Sequence, residues 1–249
     1  MPTRALIVLA AVLFACTVLV RAPAAWLLAA APPAFECRQP SGSMWRGTCG
    51  QLQIPGIVLN DVGWKLQAWP LLRARVDLAV RSDDVRAPGT GTVSLQSGGR
   101  LTVRDLRADL PVDSGFLPLF PAGWSGQLQL ALTAAEFRGG RLKSLQGTVI
   151  ARSLAQRRPA MPFGSYELRF APVPAGSTAQ RDRITGALRD LGGPLIVSGT
   201  LSVRNDSEYE LSGLVATRPE ASAELARAVE FLGPAEATGR RRFALTGTF

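Results

Sequence analysis

Residues 42–80, GSMWRGTCGQLQIPGIVLNDVGWKLQAWPLLRARVDLAV, decide the fold. Val62, Trp64, Leu66 and Ala68 are apolar at every second position, with Gly63, Lys65 and Gln67 between them. That is the period of a strand whose side chains point alternately to two faces. Val76, Leu78 and Val80 repeat the pattern after Pro70, and Leu52 and Ile54 carry it before Pro55-Gly56, a turn signal. The stretch reads as short strands joined by tight turns.

The rest of the 249-residue chain agrees. It holds 25 Gly and 18 Pro and only 7% aromatic residues, which suits many strands and turns, and its 47% hydrophobic content argues against disorder. Net charge is +9. The basic residues are scattered, with Arg157-Arg158 and Arg240-Arg241-Arg242 the tight groups, so general surface charge is favoured over a lipid or partner patch. Histidine is absent, which removes Ser-His-Asp and Cys-His catalysis and most zinc sites.

Ahead of the strands, residues 5–20 form an apolar run bounded by Arg4 and Arg21. At about 1.5 Å per residue it spans roughly 24 Å, and flanking residues to Pro23 extend it toward the ~30 Å of a bilayer core. An uncleaved single transmembrane helix is the favoured reading and a cleaved signal peptide the competing one. Arg4 places the N-terminus in the cytoplasm. The expected organisation is a cytoplasmic tip and anchor over residues 1–23, a membrane-proximal connector over 24–34 with Trp26 at the interface, and a β-rich body over 35–249. A candidate boundary between two halves of the body lies near 153–162, where residues 156–162 read as a basic loop.

Cys16 falls inside the apolar run and reads as a small hydrophobe. Cys37 and Cys49 bracket a turn, as if on two antiparallel strands, and in an oxidising compartment are expected to pair; two free thiols are the alternative. Closing a loop of about 13 residues stabilises by roughly 3 kcal/mol on the chain-entropy model.

Further strands are expected over 91–95 and 101–110, separated by Ser97-Gly98-Gly99, then from Trp124 through Leu128, Leu130 and Leu132, and over 141–152 after Gly139-Gly140. Residues 111–121 form a Pro-broken apolar connector. Tyr166, Leu168 and Phe170 alternate; residues 172–190 are mostly polar and read as a long loop or one helical turn. Leu195, Val197, Gly199, Leu201 and Val203 alternate again, Asn205-Asp206 supplies a turn, and residues 209–215 return. Thr217-Arg218-Pro219-Glu220 resembles a capping box, followed by Leu225, Val229 and Leu232 at helical spacing and a Gly233-Pro234 stop. Phe243, Leu245, Gly247 and Phe249 make a last strand. The fold class is therefore mainly β: a strongly bent antiparallel sheet, whether open, sandwich-like or a partial barrel, with one C-terminal helix, behind a single N-terminal transmembrane helix.

Three groups of residues carry a resemblance to a known family: Gly42-Ser43-Met44-Trp45-Arg46-Gly47, Val62-Gly63-Trp64-Lys65-Leu66, and Leu71-Leu72-Arg73-Ala74-Arg75. In order and spacing they resemble the periplasmic region of the type II secretion system protein N (general secretion pathway protein N) family. The hairpin–helix–strand ending is similar to that family as well. The resemblance implies a single-pass inner-membrane protein with a periplasmic β domain, a non-enzymatic accessory of the machinery that carries folded exoproteins across the outer membrane. It implies the secretin or the inner-membrane platform as partners and membrane lipid around the N-terminal helix.

The residues offer little chemistry. Asp83-Asp84 sits in a polar turn, the Gly pairs lie between strands, and no cofactor, metal or nucleic-acid site stands out. Trp45, Trp64, Trp69 and Trp124 all accompany strand patterns; packing at the core or sheet edge is one reading and a partner-docking surface the other. An unpaired sheet edge is the natural place to receive a partner's strand. The alternative function is lipid handling, in which a bent sheet with one apolar face forms a trough similar to AsmA-like proteins.

Overall fold

The computed structural model describes residues 3–29, 35–54, 57–114, 116–117, 122–158, 160–172, 183–204 and 208–248. The expected turns at Pro55-Gly56 and Asn205-Asp206, the side chain of Cys16, Phe249 and parts of the 111–121 connector lie outside the described residues.

Two helices open the chain, α1 (Thr3–Val20) and α2 (Ala24–Ala29). Thirteen described strands follow: β1 (Glu36–Gly42), β2 (Arg46–Ile54), β3 (Ile57–Gln67), β4 (Arg75–Ser82), β5 (Gly89–Gln96), β6 (Arg100–Pro111), β7 (Trp124–Arg138), β8 (Arg141–Arg157), β9 (Ala160–Phe170), β10 (Arg183–Gly192), β11 (Leu195–Arg204), β12 (Glu208–Thr217) and β13 (Arg241–Thr248). A short helix α3 (Ala68–Leu71) joins β3 to β4, and α4 (Ala223–Glu230) joins β12 to β13. The strands form one antiparallel sheet whose spatial order is the chain order, with β1 and β13 as its two ends. The sheet is therefore open. Among the described residues no helix is long and apolar enough to cross a membrane.

Directly opposed residues of an antiparallel pair point to the same face. One face is apolar across the sheet. Leu66, Leu78, Val93, Val103, Ala135 and Leu145 are successive partners across β3 to β8. Leu106, Leu132, Gly147, Phe170, Gly186, Leu201, Leu211 and Leu245 continue the face across β6 to β13. Two bulges keep it continuous. In β6 the apolar residues change phase between Val103 and Leu106, where the register against β5 shifts and Asp105 takes φ 50°. In β7 they change phase between Leu132 and Ala135, where the register against β8 shifts. An extra residue at each point returns the apolar side chains to one side.

The main core lies where α4 covers this face. Leu225 and Val229 pack on Leu195, Val197 and Val215, with Phe163, Tyr166 and Phe243 around them. A second cluster, Phe170, Ile184 and Val203, lies beyond the helix. Elsewhere rings cover glycines. Trp64 opposes Gly47, Phe170 opposes Gly186 and Tyr209 opposes Gly247. A Cβ at Gly186 would stand 2.7 Å from the Phe170 ring, and one at Gly247 2.6 Å from the Tyr209 hydroxyl. Each ring lies over the neighbouring backbone because that glycine has no side chain.

Four local expectations are corrected. Ala68 and Trp69 open α3 and do not continue β3, because Pro70 lacks the N–H that a strand would use. Residues 156–157 and 160–162 belong to the paired strands β8 and β9 and not to a loop; Pro159 lies outside the described residues. Residues 183–190 form β10, in which Ile184, Gly186 and Leu188 carry the inward face; residues 173–182 lie outside the described residues. The helix is capped by Ser222, whose hydroxyl accepts the Leu225 N–H, because Thr217 is still paired with Leu195 at the end of β12. Leu225 and Val229 are buried, whereas Leu232 lies past the end of α4 and is partly exposed.

Two carboxylates fasten loops to the sheet, and a third is buried within it. Asp190 accepts the Val197 N–H at 3.1 Å and pairs with Arg218, which also donates to the Gly193 and Leu195 carbonyls. This joins the β10–β11 turn to the approach to α4. Glu167 is buried between Arg169 and Arg189 on the polar face. Asp84 accepts from the Asn60 backbone and side chain and from the Arg86 N–H, holding the β4–β5 loop against β3. In all three, burial pushes the carboxyl up, and the hydrogen bonds and positive charges around it more than reverse this, leaving it below its ordinary value.

Two outcomes are expected. Gly199→Ala places a Cβ 2.5 Å from the Ser212 carbonyl oxygen, whereas at Gly63 the nearest atom is 3.9 Å away. Gly199→Ala should therefore cost about 1–3 kcal/mol in urea unfolding and Gly63→Ala less than about 0.5; equal midpoints would show that the strands are not so close. Because the three carboxylates are depressed, the stability they give is present above their unfolded pKa values and lost as the pH falls through the folded ones. The unfolding midpoint should be level in this respect above about pH 5 and decline below about pH 4, and Asp190→Asn should remove part of that decline.

Candidate interaction surfaces

The β1–β2 turn is the most heavily tied point of the N-terminal half. Cys37 and Cys49 form a disulfide, with Cα atoms 5.8 Å apart, within the ordinary span of such a bridge. Ser43 donates its N–H to the Arg46 carbonyl at 2.8 Å, and Gly42 takes φ 86°, a conformation suited to glycine. The Trp45 carbonyl accepts the Leu66 N–H at 2.8 Å, and the Trp64 indole donates to the Met44 carbonyl at 3.3 Å. Met44 in turn donates to the Ala22 carbonyl, and Pro23 bridges to Ser43. The stretch between α1 and α2 is thus stitched to the sheet through this turn.

The four tryptophans separate. Trp45 and Trp64 are half-buried in that knot. Trp124 is half-buried at the start of β7 and stacks on Phe163, ring centroids 4.8 Å apart. Trp69 stands alone on α3, 82% exposed, beside Leu72 at 78%. The sequence grouped Trp69 with the strand residues; Pro70 was the signal that it sits on a turn.

The two ends of the sheet differ as docking edges. β1 carries Pro40, which has no N–H to offer, and Gln39 at φ 58°, so its edge is broken. β13 is an eight-residue run without proline, in which Leu245 is 58% exposed. Beyond β12, the one described pairing it makes is the bridge between Ala235 and Arg241 at its start. The rest of its outer side is free among the described residues, the condition under which an extended segment can add to a sheet.

Among the described residues no three of His, Cys, Asp or Glu are placed to hold a metal ion. What the described surface offers is contact: a free strand edge, an exposed aromatic tip and a wide apolar face.

Comparison with known proteins addresses the same chain. Residues 33–244 match the family model described as type II secretion system (T2SS), protein N. Type II secretion system protein N of Aeromonas hydrophila is 26% identical over 207 residues, 80% of this chain and 79% of that protein. The protein of the same name from Vibrio cholerae serotype O1 is 24% identical over 222 residues, 87% and 86% of the two chains. That from Pectobacterium carotovorum is 26% identical over 232 residues, 91% and 89%. No solved structure matches significantly. With most of its length matched by the family model, the chain belongs to the type II secretion system protein N family.

Proposed function

We propose that this protein is a non-enzymatic accessory component of type II secretion, held in the inner membrane by α1 with its N-terminus in the cytoplasm and its β body in the periplasm. There it supports export of folded exoproteins across the outer membrane. The family match over residues 33–244 carries the reading. Two features of the chain support the placement. The Cys37–Cys49 bridge suits an oxidising compartment. On α1, Ile7, Leu9, Leu13, Phe14 and Val20 are each more than half exposed, as side chains facing lipid would be. Eighteen residues of α1 rise about 27 Å, against the ~30 Å of a bilayer core, with Arg21 at the interface.

Action is by contact. The free side of β13 receives an extended segment of another secretion component, the secretin or the inner-membrane platform, through main-chain hydrogen bonds. Deleting the gene should trap exoproteins in the periplasm without releasing periplasmic markers; normal secretion would reject the role. Leu245→Lys, at an exposed edge position, should lower secretion and cross-linking to that component while leaving the unfolding midpoint within about 0.5 kcal/mol of the parent.

The apolar face favours a second reading, lipid handling, because α4 covers it at one end only. Stoichiometric phospholipid in the purified protein, with secretion intact in the deletion strain, would select that reading.

A further inference from the structure

We infer that the β3–β4 tip, together with the arginines at the same end of the sheet, docks onto the anionic surface of the bilayer that α1 enters. This rests on the membrane tether proposed above.

The tip is an ordered knob. Pro70 is buried beneath it, and the Arg73 and Ala74 N–H groups close back onto the Pro70 and Leu71 carbonyls at 2.9 and 3.0 Å. What it presents outward is apolar: Trp69 at 82% and Leu72 at 78% exposure. Arg73 follows them, exposed, and makes no ion pair among the described residues. A rigid turn that displays an indole, a leucine and a cation has the chemistry of a lipid headgroup boundary, where the ring is amphipathic and the cation meets phosphate.

Its place in the fold points the same way. The Ala22 carbonyl, just past α1, accepts from Met44, and the Trp45 carbonyl accepts from Leu66, three residues before Trp69. The chain leaves α1 beside the hairpin end that carries the tip. The neighbouring hairpins turn at this end too. Arg75, Gln96, Arg100, Arg138 and Arg141 are successive partners in a single row across β4 to β8. Arg75 pairs with Asp77 at 2.7 Å and Arg100 with Glu136 at 3.0 Å. Arg138 and Arg141 face one another directly across the Gly139-Gly140 turn, both exposed, with no ion-pair partner among the described residues. Like charges directly opposed destabilise a ladder, and an anionic surface relieves that cost.

The test uses the full chain in vesicles of phosphatidylglycerol and phosphatidylethanolamine. Leu72→Cys in a Cys16→Ser background gives one reactive thiol, since Cys37 and Cys49 are bonded, and carries an environment-sensitive fluorophore. Val85→Cys, at a site 95% exposed on the opposite end of the sheet, is the control. The label at position 72 should be several-fold less accessible to iodide than that at 85 and should be quenched by lipids brominated on the acyl chain. Replacing phosphatidylglycerol by phosphatidylcholine, or combining Arg73→Glu with Arg138→Glu, should restore iodide access while the chain still resists alkaline carbonate extraction. Equal access at the two positions in a chain that resists extraction overturns the docking and leaves the tether standing. Release of the chain by carbonate overturns the tether and the docking together.

Discussion

A thirteen-strand sheet with one eight-residue helix upon it must shield most of its own apolar face. Layered folds bury such a face against a second sheet or a row of helices. Among the described residues α4 does so over Leu195, Val197 and Val215. Two devices follow from that. Rings are laid across the neighbouring strand at Gly47, Gly186 and Gly247, so that aromatic surface covers the ladder there. Bulges at Asp105 and near Thr133 correct the phase of β6 and β7, so that a one-residue slip in each does not send half their apolar side chains into water.

The same shortage of layers explains where polar groups are spent. A single sheet has loops to hold in place, and two carboxylates fasten such loops to strands. Asp84 ties the β4–β5 loop to Asn60, and Asp190 with Arg218 ties the β10–β11 turn to the approach to α4. At the N-terminal end a covalent bond does this work. The Cys37–Cys49 bridge holds β1 onto β2, the outermost pair, where one neighbour and few apolar contacts would leave an edge strand prone to fray.

How much of this was legible depends on which signal each element relies on. The hairpins at Gly98-Gly99 and Gly139-Gly140 were plain because both glycines of each turn take positive φ, which glycine supplies cheaply. The alternation in β3, β11 and β12 was plain because one face meets apolar cover and the other water. β10 was missed because its inward row is Ile184, Gly186, Leu188 and Asp190: the glycine is there to receive the Phe170 ring and the aspartate to hold Arg218, and neither counts as apolar in a period-two template. The helix cap was misplaced because Thr217-Glu220 has the spacing of a capping box, while the ladder claims Thr217 as the partner of Leu195. The interaction surfaces depended on topology. That β13 is an open edge, and that Trp69 stands outside the packed set, follows from which strands pair, and the strand period carries no record of that.

The inequality of the two edges bears on how such a body can act. A long antiparallel sheet exposes main-chain donors and acceptors at both ends, and both are hazards unless one is used. β1 has its edge interrupted by Pro40 and Gln39 and is cross-linked to β2, so it is poor at accepting a strand from any source. It also lies beside the segment that leaves α1, where an added strand would compete with the Pro23–Ser43 bridge. β13, twelve strands away, has none of these guards beyond the Ala235–Arg241 bridge at its start. A partner that binds by strand addition would therefore meet the protein at the end of the sheet remote from its helical N-terminus, with Leu245 as the apolar contact that sets register. On the proposed reading, tether and docking edge lie at opposite ends of the strand order, β1 beside the helices and β13 at the other edge.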